Sequence, residues 1–279
     1  MFTQTMFCYT TVASQILQSA IRLVESWMKS NFLLLNVSKT YIFLLRRHRV
    51  TLPTVLPTLT IGGITLNFST TGTLRWLGVE IDPHLDMSKF VDEKCRGCFY
   101  VLRMLRHMRP SLPRFHVRLL CNSLVISRVD YCSSLLASLG KADQEKIQRV
   151  VKFAGRVISG CKRYDHITPI LRELSWPTSI EQRIKIKLSV LVFKALHGLL
   201  PTHLATDIQQ YEPKRTLRSS SSNSTLLVLG SARTKCGRGD WRVAAPATWN
   251  SLPDEVRERD IKYPQFVAKL KLQVLNEDG

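Results

Sequence analysis

The sequence predicts an α+β fold that is mainly α, with a small antiparallel β element followed by a helical bundle. Two patterns carry this expectation. Between Thr58 and Ile81 the apolar residues come in short runs punctuated by glycine, whereas from Asp86 to Gly198 they recur at steps of three and four. The 44% hydrophobic content of 279 residues is enough for a sizeable core. Three segments follow: 1–85 with the β element, 86–200 helical, and 201–279 irregular.

Residues 12–30 read as an amphipathic helix, with Ile16, Leu17, Ala20, Leu23, Val24 and Trp27 on one face and Asn31 as its stop. A buried strand is expected from Tyr41 to Leu45. Residues 58–67 read as a hairpin, because Gly62-Gly63 can supply the positive φ angles of a two-residue turn. Leu74–Ile81 reads as a single third strand, ended by Asp82-Pro83 since proline cannot donate to a sheet ladder. From Asp86, the positions Met87, Phe90, Val91, Cys98, Val101, Leu102 and Leu105 form a helical stripe, with Lys94 interrupting it. Pro110 and Pro113 end that stripe. Pro113 suits the first turn of a second helix running to about Leu139, with Gly140 as its stop. Ile147, Val150, Val151, Ala154, Val157 and Ile158 mark a third helix closed by Gly160. Ile184, Leu188, Leu191, Val192 and Ala195 mark a fourth closed by Gly198. The tail holds a loop at Leu217–Ser224 and a short helix from Tyr263 to Leu275.

Charge is the strongest compositional signal. Forty Lys and Arg against 21 Asp and Glu give +19, and residues 86–200 alone carry +12. Such a basic middle third is the electrostatic footprint of a nucleic-acid binder, although an anionic lipid surface or no such role would also fit the charge alone. No apolar run reaches the roughly 20 residues of a membrane-spanning helix. No secretory signal pattern opens the chain, and the seven scattered cysteines point to a reducing compartment, nucleus or cytoplasm.

Candidate chemistry is sparse. Nucleotidyl transfer needs carboxylates converging on Mg²⁺ ions. The chain has no Asp-Asp pair, and residues 1–85 contain only Glu25, Glu80 and Asp82 as acids. Cys95-Arg96-Gly97-Cys98 lacks the second pair a structural zinc site wants, and reads as core cysteines one helical turn apart. Asp165 before a short helix reads as an N-cap. No nucleophile elbow, Walker A or dinucleotide fingerprint occurs, so no catalytic residue, metal, cofactor or small-molecule substrate is expected. The basic residues are better organised. Lys89, Arg96 and Arg103, spaced by seven, share one helical face with Arg106 close by. Lys146, Arg149, Lys152 and Arg156 form a second stripe, and Lys185, Lys187 and Lys194 a weaker third. Ridges of this kind track phosphate backbones, and the alternative is a solvated bundle face.

The order and spacing of several motifs resemble non-LTR (LINE-type) retrotransposon reverse transcriptases, over about residues 12–275. The resemblance rests on Trp27-Met28 with Leu35-Asn36-Val37-Ser38-Lys39-Thr40, on Leu77-Gly78-Val79-Glu80-Ile81-Asp82, and on Ser127-Arg128-Val129-Asp130-Tyr131-Cys132. It continues through Asp165-His166-Ile167-Thr168-Pro169, Lys194-Ala195-Leu196-His197-Gly198 and Ala244-Ala245-Pro246-Ala247-Thr248-Trp249-Asn250. Tyr41 departs from the usual Glu, and Leu174-Ser175-Trp176-Pro177 is one residue short of the family pattern. The resemblance implies the end of a polymerase palm, a helical thumb and a C-terminal region, with the Asp-Asp hairpin lying ahead of residue 1. It therefore implies a truncated, inactive remnant of an RNA-directed DNA polymerase that keeps RNA or DNA binding, Mg²⁺ being needed only by a full-length enzyme. Lys39 would map near the incoming nucleotide, Arg75, Trp76 and Gly78 near the primer grip, and Lys89, Arg96, Arg103 and Arg106 on a thumb helix. The alternative is a non-enzymatic interaction or structural protein derived from a retroelement.

Overall fold

The computed structural model describes residues 11–46, 58–66, 68–69, 72–212 and 224–276. The fold is α+β and mainly α, and the chain divides into two compact units, Met1–Phe90 and Val91–Gly279.

In the first unit, helix α1 (Thr11–Ser30) docks on strand β2 (Leu59–Ile61). The Gln18 amide mimics a neighbouring strand: Nε2 donates to Thr60 O at 2.8 Å and Oε1 accepts from Thr60 N at 3.0 Å. Glu25 Oε1 accepts from Gly62 N at 2.6 Å. Strand β2 pairs with β3 (Ile64–Leu66) across Gly62 and Gly63, at φ +57 and +78°, as the glycine pair predicted. Asn67, the last residue of the expected hairpin, lies outside the described residues. Three expectations change. The strand expected at Tyr41–Leu45 shrinks to β1 (Ile42–Phe43), which pairs in parallel with β4 (Phe68–Ser69). The single strand expected at Leu74–Ile81 folds back on itself as β5 (Leu74–Trp76) and β6 (Val79–Ile81), because Leu77 and Gly78 both take positive φ, +49 and +80°. The stripe on α1 is two adjacent stripes: Leu17 and Ile21 line a small apolar cavity with Leu59 and Ile61, whereas Ile16, Leu23 and Trp27 are more than 60% exposed.

Asp82 turns the chain into helix α2 (Ser88–Met108), its carboxylate accepting from the backbone N–H groups of His84, Asp86 and Met87 at 2.8–3.1 Å. In the second unit, Val91, Cys98, Leu102 and Leu105 of the predicted face of α2 are buried, and Cys95 is buried beside them. Burial pushes the Cys95 thiol up to about 11 and the Cys98 thiol up as well, so both stay protonated core residues. Lys94, the polar interruption, donates to Tyr131 O at 2.8 Å, and desolvation lowers its pKa.

The helix expected to run to Leu139 ends earlier. Helix α3 (Arg114–Cys121) passes through a π turn (Asn122–Ile126) into α4 (Ser127–Asp130), and Cys132 at φ +53° stops it before a 3-10 turn (Ser133–Ser138). Helix α5 (Lys141–Ser159) closes on Gly160 at φ +77°, a left-handed C-cap that suits glycine. It packs tightly on α6 (Thr168–Glu173): a Cβ on Gly155 would lie 3.1 Å from Leu171. Helix α7 (Ile180–Leu196) starts at the Ser179 cap, which accepts from Gln182 N at 3.2 Å, and is followed by Gly198 at φ +67°.

The region after Pro201 is more ordered than its sequence predicts. It contains α8 (Thr202–Ala205), α9 (Lys235–Arg238), α10 (Trp241–Asn250) and α11 (Tyr263–Asn276). Its Leu227, Trp249, Phe266, Leu270 and Val274 share one core with Val192, Phe193 and Ala195 of α7. Apart from Ser224, the loop expected at Leu217–Ser224 lies outside the described residues. No helix among the described residues is long and apolar enough to cross a membrane.

One buried charge has a measurable consequence. The Arg183 side chain is only 6% exposed, and its Nη1 donates to Asp130 Oδ1 at 3.0 Å while Nε and Nη2 find no hydrogen-bond partner among the described residues. Asp130→Ala is expected to cost about 2–3 kcal/mol, since it strands a buried cation. Arg183→Met is expected to cost less, because it removes the orphaned donors together with the charge. Urea denaturation of the two variants tests this, and equal losses would contradict it.

Candidate nucleic-acid interface

Helices α2 and α5 lie side by side and run in the same direction. Three layers set their register. Lys146 Nζ reaches Asp92 at 2.7 Å, the Phe99 and Phe153 rings meet at 6.0 Å, and Arg109 Nη2 donates to Ser159 O at 3.0 Å. The partial negative charge of both C-termini therefore gathers at one end of the pair, and cations are favoured there. The sequence supplies them: Arg106 and Arg109 at the end of α2, Arg156 in the last turn of α5, and Lys162 and Arg163 just beyond it.

These five, with Arg149, line a groove of about 730 Å³ together with Phe99, Pro110, Phe153, Val157 and Cys161. Gly160 sits in the groove, and a Cβ there would fall 2.1 Å from Arg109 Nη2, so the bare backbone lets that guanidinium lie against the end of α5. Arg156 Nη2 donates to Asp165 O at 3.4 Å. The Asp165 carboxylate closes the loop by accepting from Lys162 N at 2.6 Å; the expected N-cap role is not what it does, and α6 has Ile167 at its cap position without a side-chain bond.

The electrostatics are one-sided. Among the described residues no carboxylate lines the groove, and none of its six cations makes a salt bridge. Ion pairs do form elsewhere in the unit, as in Arg114–Glu173 at 2.8 Å, Arg242–Asp207 at 3.0 Å and Lys269–Glu258 at 3.2 Å. Arg109 Nε and Arg156 Nε are buried without a hydrogen-bond partner among the described residues.

Of the residues singled out in the sequence, Arg106, Arg149 and Arg156 meet in this groove. Arg96, Arg103 and Lys152 are exposed on the same two helices but do not line it. Lys146 is occupied by both Asp92 and Asp143, at 2.7 and 2.9 Å. Lys39, Arg75, Trp76, Gly78 and Lys89 belong to the first unit. There Lys39 and Arg75 are exposed, Arg75 stands opposite Glu80 across the second hairpin, Trp76 is half-buried, Gly78 forms the turn, and Lys89 Nζ lies 3.4 Å from Thr73 Oγ1. The sequence reading missed Arg109, Lys162, Arg163, Phe99 and Phe153. The signal for the first three was present: Arg109 extends the α2 stripe by three residues, and Lys162-Arg163 follows the glycine stop of α5.

Among the described residues no three His, Cys, Asp or Glu side chains come together as metal ligands. Comparison of the chain with protein-family models, with curated proteins and with solved structures gave no match.

Proposed function

We propose that this chain binds nucleic acid through the groove between α2 and α5, as a thumb-like module related to LINE-type reverse transcriptases, and does not itself transfer nucleotides. One observation carries the reading: six cations from two helices and one loop converge on a groove whose lining, among the described residues, includes no acid. A phosphate backbone offsets such a field, and the displaced counterions supply the driving force. The ordered motifs between Trp27 and Asn250 support the relationship. The non-catalytic part draws on two acids of the first unit, since the Glu25 and Asp82 carboxylates are taken up by backbone N–H groups. A second reading, a retroelement-derived interaction protein, is favoured by exposed Tyr100, Met104, Phe115 and Leu119 on α2 and α3.

Fluorescence anisotropy with labelled oligonucleotides across a salt series tests the proposal. If all six cations engage phosphates, log K is expected to fall with log salt at a slope of roughly −4 for a single strand and roughly −5 for a duplex. Absence of binding at low salt overturns it. Mg²⁺-dependent nucleotide incorporation above background overturns the non-catalytic part.

A further inference from the structure

We infer that the groove between α2 and α5 selects unpaired nucleic acid, seating a base against Phe99 and Phe153 while the surrounding cations hold the flanking phosphates. This rests on the nucleic-acid reading above and names the form of strand that site takes.

A site that only tracked the outside of a duplex would need cations and hydrogen-bond donors, since a duplex presents phosphates and keeps its base faces stacked inside. Phe99 and Phe153 offer neither charge nor donors. They are half-buried side chains, tilted at 40° to each other, and both contribute surface to the groove. An apolar ring bordered by arginines is a poor seat for a phosphate, which loses hydration there and gains no hydrogen bond. It is a good seat for the face of an unstacked base, which every nucleotide carries and which only an unpaired strand exposes.

The cations are placed to take the backbone on either side. Arg149 lies four residues before Phe153 on α5, and Arg156 three residues after it, so both rise from neighbouring positions on the same helix. Arg106 lies one heptad beyond Phe99 on α2. Arg109 and Arg156 are also tethered through Ser159 O and Asp165 O, so less side-chain freedom is lost when a strand binds.

The test uses the whole chain and four labelled ligands of equal length: a single-stranded RNA, a single-stranded DNA of the same sequence, a blunt duplex, and an abasic single strand with the same phosphates and no bases. Both unpaired strands are expected to bind at least about tenfold more tightly than the duplex and the abasic strand at the same salt. In the variant with Phe99→Leu and Phe153→Leu, which keeps apolar bulk and removes the ring faces, unpaired-strand affinity is expected to drop by about tenfold. The salt slope and duplex affinity should stay unchanged. If duplex or abasic strand binds as tightly as the unpaired strand, with a steep salt slope, the inference fails while the nucleic-acid reading stands. If no ligand shows salt-dependent binding, the reading itself fails. The abasic comparison needs no variant, so it decides the matter even if the double-leucine protein does not fold.

Discussion

Changing Arg149 and Arg156 together to glutamate is expected to lower oligonucleotide affinity by at least about 100-fold near 0.1 M salt. Each phosphate of a single strand that is no longer neutralised takes about 0.7 off the salt slope, which at that concentration is about 0.7 log units of affinity. Two such phosphates account for about 1.4 log units. Two added carboxylates facing a phosphate chain supply the rest by repulsion. Arg156→Glu also places an acid at the C-terminal end of α5 and removes the bond to Asp165 O, so the variant is expected to lose some stability, and a thermal melt must show it folded at the assay temperature. Neither arginine is in a salt bridge among the described residues, and glutamate is nearly as good a helix former as arginine. A matched control separates groove from bulk charge: Lys152→Glu with Lys187→Glu alters the net charge equally, and neither lysine lines the groove. Equal losses in the two double variants, read by anisotropy in the same buffer, would mean that diffuse charge rather than the groove binds the strand.

The helices that form this groove were legible from their sequences, and the groove was not. The periodic stripes of α2 and α5 depend on local spacing, and the structure keeps both. The groove depends on how two helices pair, and no single-helix pattern encodes that. Lys146 shows the difference. On its own helix it continues the stripe of Arg149, Lys152 and Arg156, yet its charge is matched by Asp92, which lies 54 residues away in sequence. Two other departures did have local signals. Glycine at position 78 inside an expected strand marks a tight turn, and the Leu77–Gly78 reversal follows from it. The α1 stripe could be divided into two by stepping from Leu17 to Ile21 and from Ile16 to Leu23 and Trp27, although only the sheet decides which of the two is covered. Cys132, by contrast, takes its left-handed backbone with no residue-type preference to announce it, so the early end of α4 was hidden.

Phe266→Ala is expected to destabilise the second unit by about 3–5 kcal/mol, the range for deleting a fully buried aromatic side chain. The residue is wholly buried on α11, stacked 4.4 Å from Phe193 of α7 and 5.7 Å from Trp249 of α10. Its loss opens a cavity where three helices meet. The neighbours cannot easily collapse into it, because polar ties hold each of them in place. Trp249 Nε1 donates to Thr225 O at 2.9 Å, Asn250 exchanges two hydrogen bonds with the backbone of Leu227, and Gln182 Nε2 donates to Val274 O at 2.9 Å. Phe266→Leu keeps most of the apolar volume and should recover more than half of the loss. Thermal and urea unfolding of the two variants measure both numbers. The same packing makes the segment after Pro201 an integral layer of the unit: a chain ended at Leu200 would expose Val192 and Phe193, which the full chain covers to within 2% of complete burial. If the shortened chain instead melts cooperatively at the temperature of the full one, the shared core contributes little, and the cost assigned to Phe266→Ala is wrong with it.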